Sequence, residues 1–531
     1  MSSNDAETMR CAIELTLRWN ARRELIVDGP ERYDGARLER ESAAFATALH
    51  AAGAGRRDRV VFVGPSTGRF FAAWLGAQRL GCTTCNVHLK ETAHFVSRTF
   101  ATLAPKAVVC ADAILPVVLE ALRAQGSAAS VFTLGDATPP GASACYRDVQ
   151  ARCAGTPVPQ VDAIAPEDPA IVVLSSGSTG DPKAVLHGNA SFVRWMRAAP
   201  ALFGAVDRNT RFLVIVGTSF AAWGFSAISM LYAGGTLVLM DGFTPERFCQ
   251  LAQSEKVTMA GPVPTMIRML VPEITREYDL SSFRMMLCAG EPPSPVDIQR
   301  ILSWADTDIR CLYLASESAP GAATFWELRD QTLRGKAVCA GLPVPGADLR
   351  IVDPDGGIDD LRPSGESGEI LLRGPTLAQG YLGNPALTAA RFVDGWWRSG
   401  DLGHLDADGY LHVAGRTDNT INSGGIKVQA EEVELCLMEC AGVVQAAVIG
   451  VPDPRWGQRI EAHVVAVDGT GEDLLRNHCR QHLAAFKQPK SYVFHAKLPT
   501  GATGKLDRVG LRRRHAVAPA PGDAPPASGA S

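Results

Sequence analysis

Short apolar runs recur along this chain, separated by helix-like segments, and that alternation constrains the fold more than any other feature. Val60-Val61-Phe62-Val63, Ala107-Val108-Val109, residues 212–216, Leu237-Val238-Leu239 and residues 284–288 read as buried strands. Between them, the Ala-rich stretch 41–54 and residues 70–80, closed by Gly81, carry helical patterning. Such alternation implies an α/β fold: layered, mostly parallel sheets with helices against them. At 531 residues the chain is too long for one ordinary core, so at least two domains are expected. After Gly415 the pattern becomes a smaller α+β unit, with helices at 430–440 and 472–483 and strands at 443–449 and 462–467. Residues 516–531 are almost entirely Ala, Pro, Gly and Ser, too poor in large apolar side chains to pack, and read as a disordered tail. No internal repeat is visible.

Composition narrows the class. Hydrophobic residues make up 46% and charged residues 20%, which suits a globular protein with an ample core. A net charge of −4 argues against a nucleic-acid partner. Met1-Ser2-Ser3-Asn4-Asp5 has neither a basic nor an apolar signal region, and no apolar run reaches about 18 residues. A cytoplasmic location without a transmembrane segment is the resulting expectation. Thirteen scattered cysteines suit a reducing compartment better than a disulfide framework. Cys82 and Cys85 form a C-x-x-C, yet Thr83, Thr84 and Val87 suggest a strand, where positions three apart face opposite sides. Core filling is therefore expected rather than redox or metal chemistry. The run Arg512-Arg513-Arg514 reads as a solvated helix end.

The apolar run Ile171-Val172-Val173-Leu174 leads into Ser175-Ser176-Gly177-Ser178-Thr179-Gly180-Asp181-Pro182-Lys183. Glycines let backbone N–H groups turn toward an anion, and hydroxyls and an ammonium add donors, so the stretch reads as a phosphate cradle. Its spacing is not that of a P-loop NTPase, because Lys183 follows Gly180 by three residues through a proline. Taken by itself, a flexible surface turn has the same composition.

Five further segments follow downstream: Leu312-Tyr313-Leu314-Ala315-Ser316-Glu317; Gly368-Glu369-Ile370 through Gly380-Tyr381; Trp397-Arg398-Ser399-Gly400-Asp401; Gly415-Arg416-Thr417-Asp418; and Pro499-Thr500-Gly501-Ala502-Thr503-Gly504-Lys505. With the loop they resemble, in order, the motifs of the adenylate-forming superfamily, which includes acyl- and aryl-CoA ligases, luciferases and peptide-synthetase adenylation domains. The resemblance spans roughly residues 170 to 508. It implies that a carboxylate attacks the α-phosphorus of ATP to give an acyl-adenylate and pyrophosphate, and that a thiol then takes the acyl group. Such a reaction depends on positioning and charge stabilisation.

By that resemblance Ser176, Ser178, Thr179 and Lys183 hold the β- and γ-phosphates, with Ser175, Gly177 and Gly180 in the same nucleotide site. Ala289-Gly290-Glu291 and Ser316 join them, and Tyr313 stacks on the adenine. Glu317 is the Mg²⁺-associated carboxylate with Thr179 as hydroxyl partner. Asp401 accepts from the ribose hydroxyls, and Arg416 adds a cation nearby. Lys505 bridges the α-phosphate and the substrate carboxylate, so the catalytic set is Lys505, Thr179 and Glu317. Asp418 falls at the hinge between an N-terminal domain (1–417) and a mobile C-terminal domain (418–515), followed by the tail (516–531). Ser423-Gly424-Gly425 either lets a pantetheine arm approach or forms a tight turn. Asn422 stands where family members often carry lysine.

Ser219-Phe220-Ala221-Ala222-Trp223-Gly224-Phe225 falls where the family's acyl pocket begins, with Phe220, Ala221, Trp223 and Gly224 as candidate lining. It offers no anion to an ammonium, which disfavours an α-amino acid. The alternative for Phe220 and Trp223 is a role as core aromatics. With Leu186-His187 and Ala289-Gly290-Glu291-Pro292, the segment looks most like the benzoate-CoA ligase branch. Leu314 and Ala184 depart from the family by replacing glycines. The resemblance thus implies an acid–CoA ligase using ATP, Mg²⁺ and coenzyme A, with an aryl acid favoured. Alternatives are a fatty-acid CoA ligase, an adenylation enzyme loading a carrier-protein pantetheine, and an inactive nucleotide-binding homologue; a homodimer stays open.

Overall fold

The computed structural model describes residues 5–175, 183–204, 206–290, 293–323, 327–333, 338–423, 426–500, 506–508 and 510–512. The chain divides into two compact units: Met1–Glu366 with Ile370–Ser399 and Leu405–His412, and Val413–Ser531 with Ser367–Glu369 and Gly400–His404.

In the larger unit an eight-stranded sheet runs through Gly380–Tyr381, Lys183–Gly188, Pro169–Ser175, Thr83–Asn86, Arg59–Val63, Ala107–Cys110, Ser130–Thr133 and Ala144–Cys145. Every pairing from Pro169–Ser175 onward is parallel. A nine-stranded sheet runs through Leu342–Pro343, Ala319–Ala323, Asp308–Ala315, Met285–Ala289, Met259–Ala260, Arg211–Val214, Thr236–Leu239, Glu24–Asp28 and Glu31–Asp34, parallel from Asp308–Ala315 to Glu24–Asp28.

Strand alternation sorts side chains onto the two faces. Val60 and Phe62, with Met285 and Leu287 of the other sheet, enter one core shared by the helices Met9–Trp19, Gly35–Ala51, Gly68–Arg79 and Asn189–Leu202. Val61 and Val63 instead face Val96, Phe100, Val118 and Leu122 of the helices Ala93–Leu103 and Leu115–Ala124. Met286 and Cys288 face Phe248, Ile267 and Ile298 on a third helical layer. Five layers result, helices alternating with sheets. The middle helices pack closely at Gly76, where an added Cβ would lie 2.6 Å from the Ser42 carbonyl oxygen.

The apolar runs locate the strands of the larger unit to within about two residues, and the helices expected at 70–80, 430–440 and 472–483 start within two residues as Gly68–Arg79, Ala430–Glu439 and Glu472–His482, whereas the strand expected at 443–449 runs on to Asp453. The helix expected at 41–54 is Gly35–Ala51, because Asp34 caps it by accepting from the Arg37 N–H, and its first turns bury Gly35 and Leu38 among the charged residues Arg37, Glu39 and Arg40. Cys82 lies in the middle core and Cys85 in the outer one, both buried. Burial pushes the Cys82 thiol up to about 12, and all thirteen cysteines are free.

The smaller unit places Ile426–Gln429, Thr420–Ser423, Gly457–Ala466 and Val443–Asp453 side by side, with Ser491–Phe494 parallel to Gly457–Ala466. Helices Ala430–Glu439 and Glu472–His482 cover this sheet through Val433, Leu437 and Leu475. The strand expected at 462–467 begins earlier, at Gly457, because the polar residues Gln458 and Arg459 pair along the hairpin with Pro452 and Val451. Arg512, expected in a solvated run, is half-buried and donates to the Asp418 carbonyl (3.3 Å) and Asn419 Oδ1 (3.4 Å). Arg513, Arg514 and residues 516–531 lie outside the described residues. No helix among the described residues is long and apolar enough to cross a membrane.

Candidate active site

In a parallel sheet the segments leaving the strand C-termini gather along one edge. Arg211–Val214 leads into residues 215–225, Met285–Ala289 into Gly290, and Asp308–Ala315 into Ser316-Glu317-Ser318. Ala289 lies in register beside Leu312, so Gly290, just past the end of one strand, follows beside Tyr313 near the end of the next. Gly290 has φ +90°, a conformation that favours glycine, and space is open where a Cβ would sit. The other sheet reaches the same place. Asn86 Nδ2 donates to the Thr218 carbonyl (2.9 Å), Thr218 Oγ1 donates to the Gly64 carbonyl (2.9 Å), and His187 Nε2 meets the Ser316 carbonyl at 2.7 Å.

Glu317 sits in a turn whose carbonyls are all engaged. The Ala378 N–H donates to Glu317 O (2.8 Å), Thr376 Oγ1 donates to Ser318 O (3.2 Å), and His187 takes Ser316 O. The Glu317 side chain, in a residue only 8% exposed, accepts from the Tyr381 hydroxyl at 2.9 Å. Burial, then the Glu317 carboxylate, pushes the Tyr381 phenol upward, so it stays a donor. His187 is buried, and burial lowers its imidazole to about 4, leaving it neutral at physiological pH. A carbonyl only accepts, so Nε2 carries the proton; Nδ1 has no hydrogen-bond partner among the described residues.

Ser175 and Lys183 face each other in antiparallel register where the strands Pro169–Ser175 and Lys183–Gly188 meet residues 176–182. A P-loop leads from strand to helix, whereas this one leads from strand to strand, in keeping with the spacing argument. Ser176, Gly177, Ser178, Thr179 and Gly180 lie outside the described residues, as do Glu291, Gly424, Gly425 and Lys505.

Along 219–225 two aromatics part ways. Trp223 is 1% exposed, packs against Phe70, Phe71 and Trp74, and donates from Nε1 to Ser66 Oγ at 3.1 Å. Phe220 is half-buried beside His88, ring centroids 6.1 Å apart, and Ala221 and Gly224 are also half-buried.

A second group lies in the smaller unit. Asp401 pairs with Arg416 at 2.9 Å, Arg416 lies 3.9 Å from Asp418, and Thr417 Oγ1 donates to the Gly400 carbonyl at 2.9 Å. The Gly400 N–H donates to the buried Glu369 carboxylate at 3.0 Å, and Gly400 holds φ +74°. Asp418 lies in the short turn Thr417–Asn419, and Ser423 ends the strand Thr420–Ser423 opposite Ile426.

Sequence reasoning assigns His187, Tyr381, Asn86 and Thr218 no part in the site. A polar side chain near the end of a largely buried strand is the available signal at Asn86 and His187; Tyr381 has none beyond its motif. The donor set suits Mg²⁺, which takes one or two carboxylates together with substrate phosphates rather than an all-protein cage. Glu317 is the carboxylate that would hold such an ion, and no cluster of three or more His, Cys, Asp or Glu able to hold a metal occurs among the described residues.

The AMP-binding enzyme family matches residues 16–382, and its C-terminal domain matches residues 432–505. The chain is 33% identical over 497 residues to a feruloyl-CoA synthase of an Amycolatopsis species, covering 90% of this chain and 93% of that one. It is 30% identical over 477 residues to the long-chain-fatty-acid–CoA ligase FadD13 of Mycobacterium tuberculosis, covering 89% and 91%. Among solved structures, the anthranilate CoA ligase AuaEII in complex with anthranoyl-AMP superimposes with a TM-score of 0.86 at 23% identity, covering 96% and 97% of the two chains. With the edge-of-sheet site and the ordered motifs, these matches make the chain a member of the AMP-binding, adenylate-forming enzyme family.

Proposed function

We propose that this AMP-forming acid–thiol ligase activates an aryl carboxylic acid with ATP and passes the acyl group to coenzyme A. The observations that support the reading are Ser175 paired with Lys183, Ala289 in register beside Leu312 next to Tyr313, and His187, on the strand that begins at Lys183, bonded to the Ser316 carbonyl beside Glu317. Tyr313 and the Ala289-Gly290 backbone bind the nucleotide base. Ser175 to Gly180 and Lys183 cradle the phosphates, and Glu317 with Thr179 holds Mg²⁺, which when bound neutralises phosphate charge. Asp401 accepts from the ribose hydroxyls beside Arg416. The acid's carboxylate oxygen attacks the α-phosphorus as the bond to pyrophosphate breaks, and Lys505 offsets the repulsion between these anions.

Asp418 then serves as hinge between domains 1–417 and 418–515, a division that lets one site run two half-reactions. Ser423, Gly424 and Gly425 admit the pantetheine arm. The aryl preference rests on the half-buried Phe220 and its neighbours Ala221 and Gly224, which present no charge to the acid. Trp223 supports that wall from the core. Free thiols throughout support a reducing, cytoplasmic location.

The test is AMP release with ATP and Mg²⁺ across benzoates, phenylacetates, cinnamates and fatty acids, with and without CoA, reading product masses. An aryl-CoA product is the expected result. A fatty acyl-CoA product would move the pocket assignment, and an adenylate that never reaches CoA would point to a carrier protein. Lys505→Ala should cost about 10²- to 10³-fold in adenylation while sparing thioester formation from supplied acyl-adenylate. Equal loss in both half-reactions would sink the role of Lys505.

A further inference from the structure

We propose that Tyr381 and His187 are positioning residues that fix the Glu317 carboxylate for divalent-cation–ATP binding; the proposal rests on the reading of Glu317 as the ion-associated carboxylate. Four hydrogen bonds from outside the strand–turn reach Ser316-Glu317-Ser318, and their donors come from two segments remote in sequence. Thr376, Ala378 and Tyr381 lie on one, and His187 lies on the other. The two segments are themselves paired, with Gly380 opposite Leu186 and Tyr381 opposite Val185. The strand carrying His187 begins at Lys183, the exit of the phosphate loop. One small sheet edge therefore ties the phosphate loop to the carboxylate.

The chemistry follows from burial. A carboxylate lacking orientation samples several rotamers, whereas one whose Oε1 accepts from a fixed phenol has its plane set. Tyr381 is itself held in an apolar setting by Val185, Ala378 and Phe392, so its hydroxyl has little freedom. His187 restrains the backbone rather than the carboxylate: its Nε2–H fixes the Ser316 carbonyl, immediately before Glu317. Phe225 sits edge-on to the imidazole at 5.6 Å and limits ring rotation.

The test uses the full-length chain and reads Mn²⁺ binding in the presence of ATP by electron paramagnetic resonance, alongside the Mg²⁺ dependence of acid-dependent ATP–pyrophosphate exchange. Tyr381→Phe should raise the half-saturating concentration of either ion about tenfold, the usual scale for losing an outer-sphere partner. Exchange should recover at saturating Mg²⁺, with the KM for the acid unchanged. His187→Gln keeps an N–H donor and should bind within about twofold of the parent, whereas His187→Leu should weaken binding about tenfold. Unchanged Mn²⁺ binding in Tyr381→Phe while Glu317→Gln is impaired would overturn the positioning role and leave the Glu317 reading intact. Unchanged binding in Glu317→Gln would overturn both. Equal behaviour of His187→Gln and His187→Leu would remove His187 from the proposal.

Discussion

Two acidic turns of the larger unit make opposite use of their carboxylates. The turn around Asp353, Asp355, Asp359 and Asp360 is rich in acid but pairs its carboxylates with groups close in sequence, while Arg398 from farther along the chain takes the Pro354 and Gly356 carbonyls. Asp353 accepts from the Asp355 N–H (3.0 Å), Asp360 accepts from the Gly357 N–H (2.6 Å), and Arg350 and Arg362 pair with Asp359 and Asp353 at 2.7 and 2.6 Å. The Asp359 side chain is 85% exposed. The turn at Glu317 has one carboxylate, buried, and its anchors come from residues about sixty and one hundred and thirty positions away. Acid density thus says little about a site. What distinguishes one is a charge whose desolvation is tolerated because remote elements hold it in place.

Asp168 offers the strongest way to break that distinction, because it is anchored like Glu317 yet stands apart from the chemistry. Its buried carboxylate accepts from Arg56 (3.0 Å), Arg57 (2.7 Å) and the Ala165 N–H (2.9 Å), while its carbonyl takes the Asn189 amide (3.0 Å). Asp168→Asn should cost about 2 kcal/mol, the scale of a carboxyl held from its usual value down to about 2, because Arg56 and Arg57 keep contact with water when left unmatched, while nucleotide affinity of the folded fraction stays unchanged. Despite the opposing effect of burial, the Arg56 hydrogen bond, the Ala165 N–H and Arg57 together hold its carboxyl down at about 2. A lowered folded-state value means this stability is present above the usual carboxylate range and is lost as pH falls from about 4 toward 2. Thermal melts of the parent should therefore fall more steeply with acid than those of Asp168→Asn; parallel curves would remove Asp168 from the anchored class.

Glu317→Gln should lower adenylation about 100-fold with little change in melting temperature, the reverse of Asp168→Asn. A large stability loss with normal turnover would make Glu317 a structural residue. Asp359→Asn, in the self-satisfied turn, should change stability by less than about 0.5 kcal/mol and leave turnover alone. A clear defect there would erase the comparison.

Much of the molecule is legible in the order of its amino acids. Apolar runs such as Val60-Val61-Phe62-Val63 locate the strands because a strand covered on both faces leaves no polar positions. Cys82 and Cys85 are separable from redox chemistry by strand parity alone. Harder to read is Trp223, whose type suits either a pocket or a core; only its packing against Phe70, Phe71 and Trp74 decides between them. Tyr381 and His187 are harder still, since a hydrogen bond reaching sixty or more positions along the chain leaves no local trace.

The amino-acid sequence by itself determined the α/β class, the alternation that makes the sheets parallel, and the residue types of the nucleotide loop and its downstream motifs. Those properties depend on side-chain periodicity and short-range backbone geometry, which act within a few residues. Tertiary structure alone decided that Asn86 meets Thr218, that His187 meets Ser316, and that the Tyr381 hydroxyl meets the Glu317 carboxylate. Such pairings depend on sheet order and register, which arise from burying whole faces at once rather than from any local run of residues.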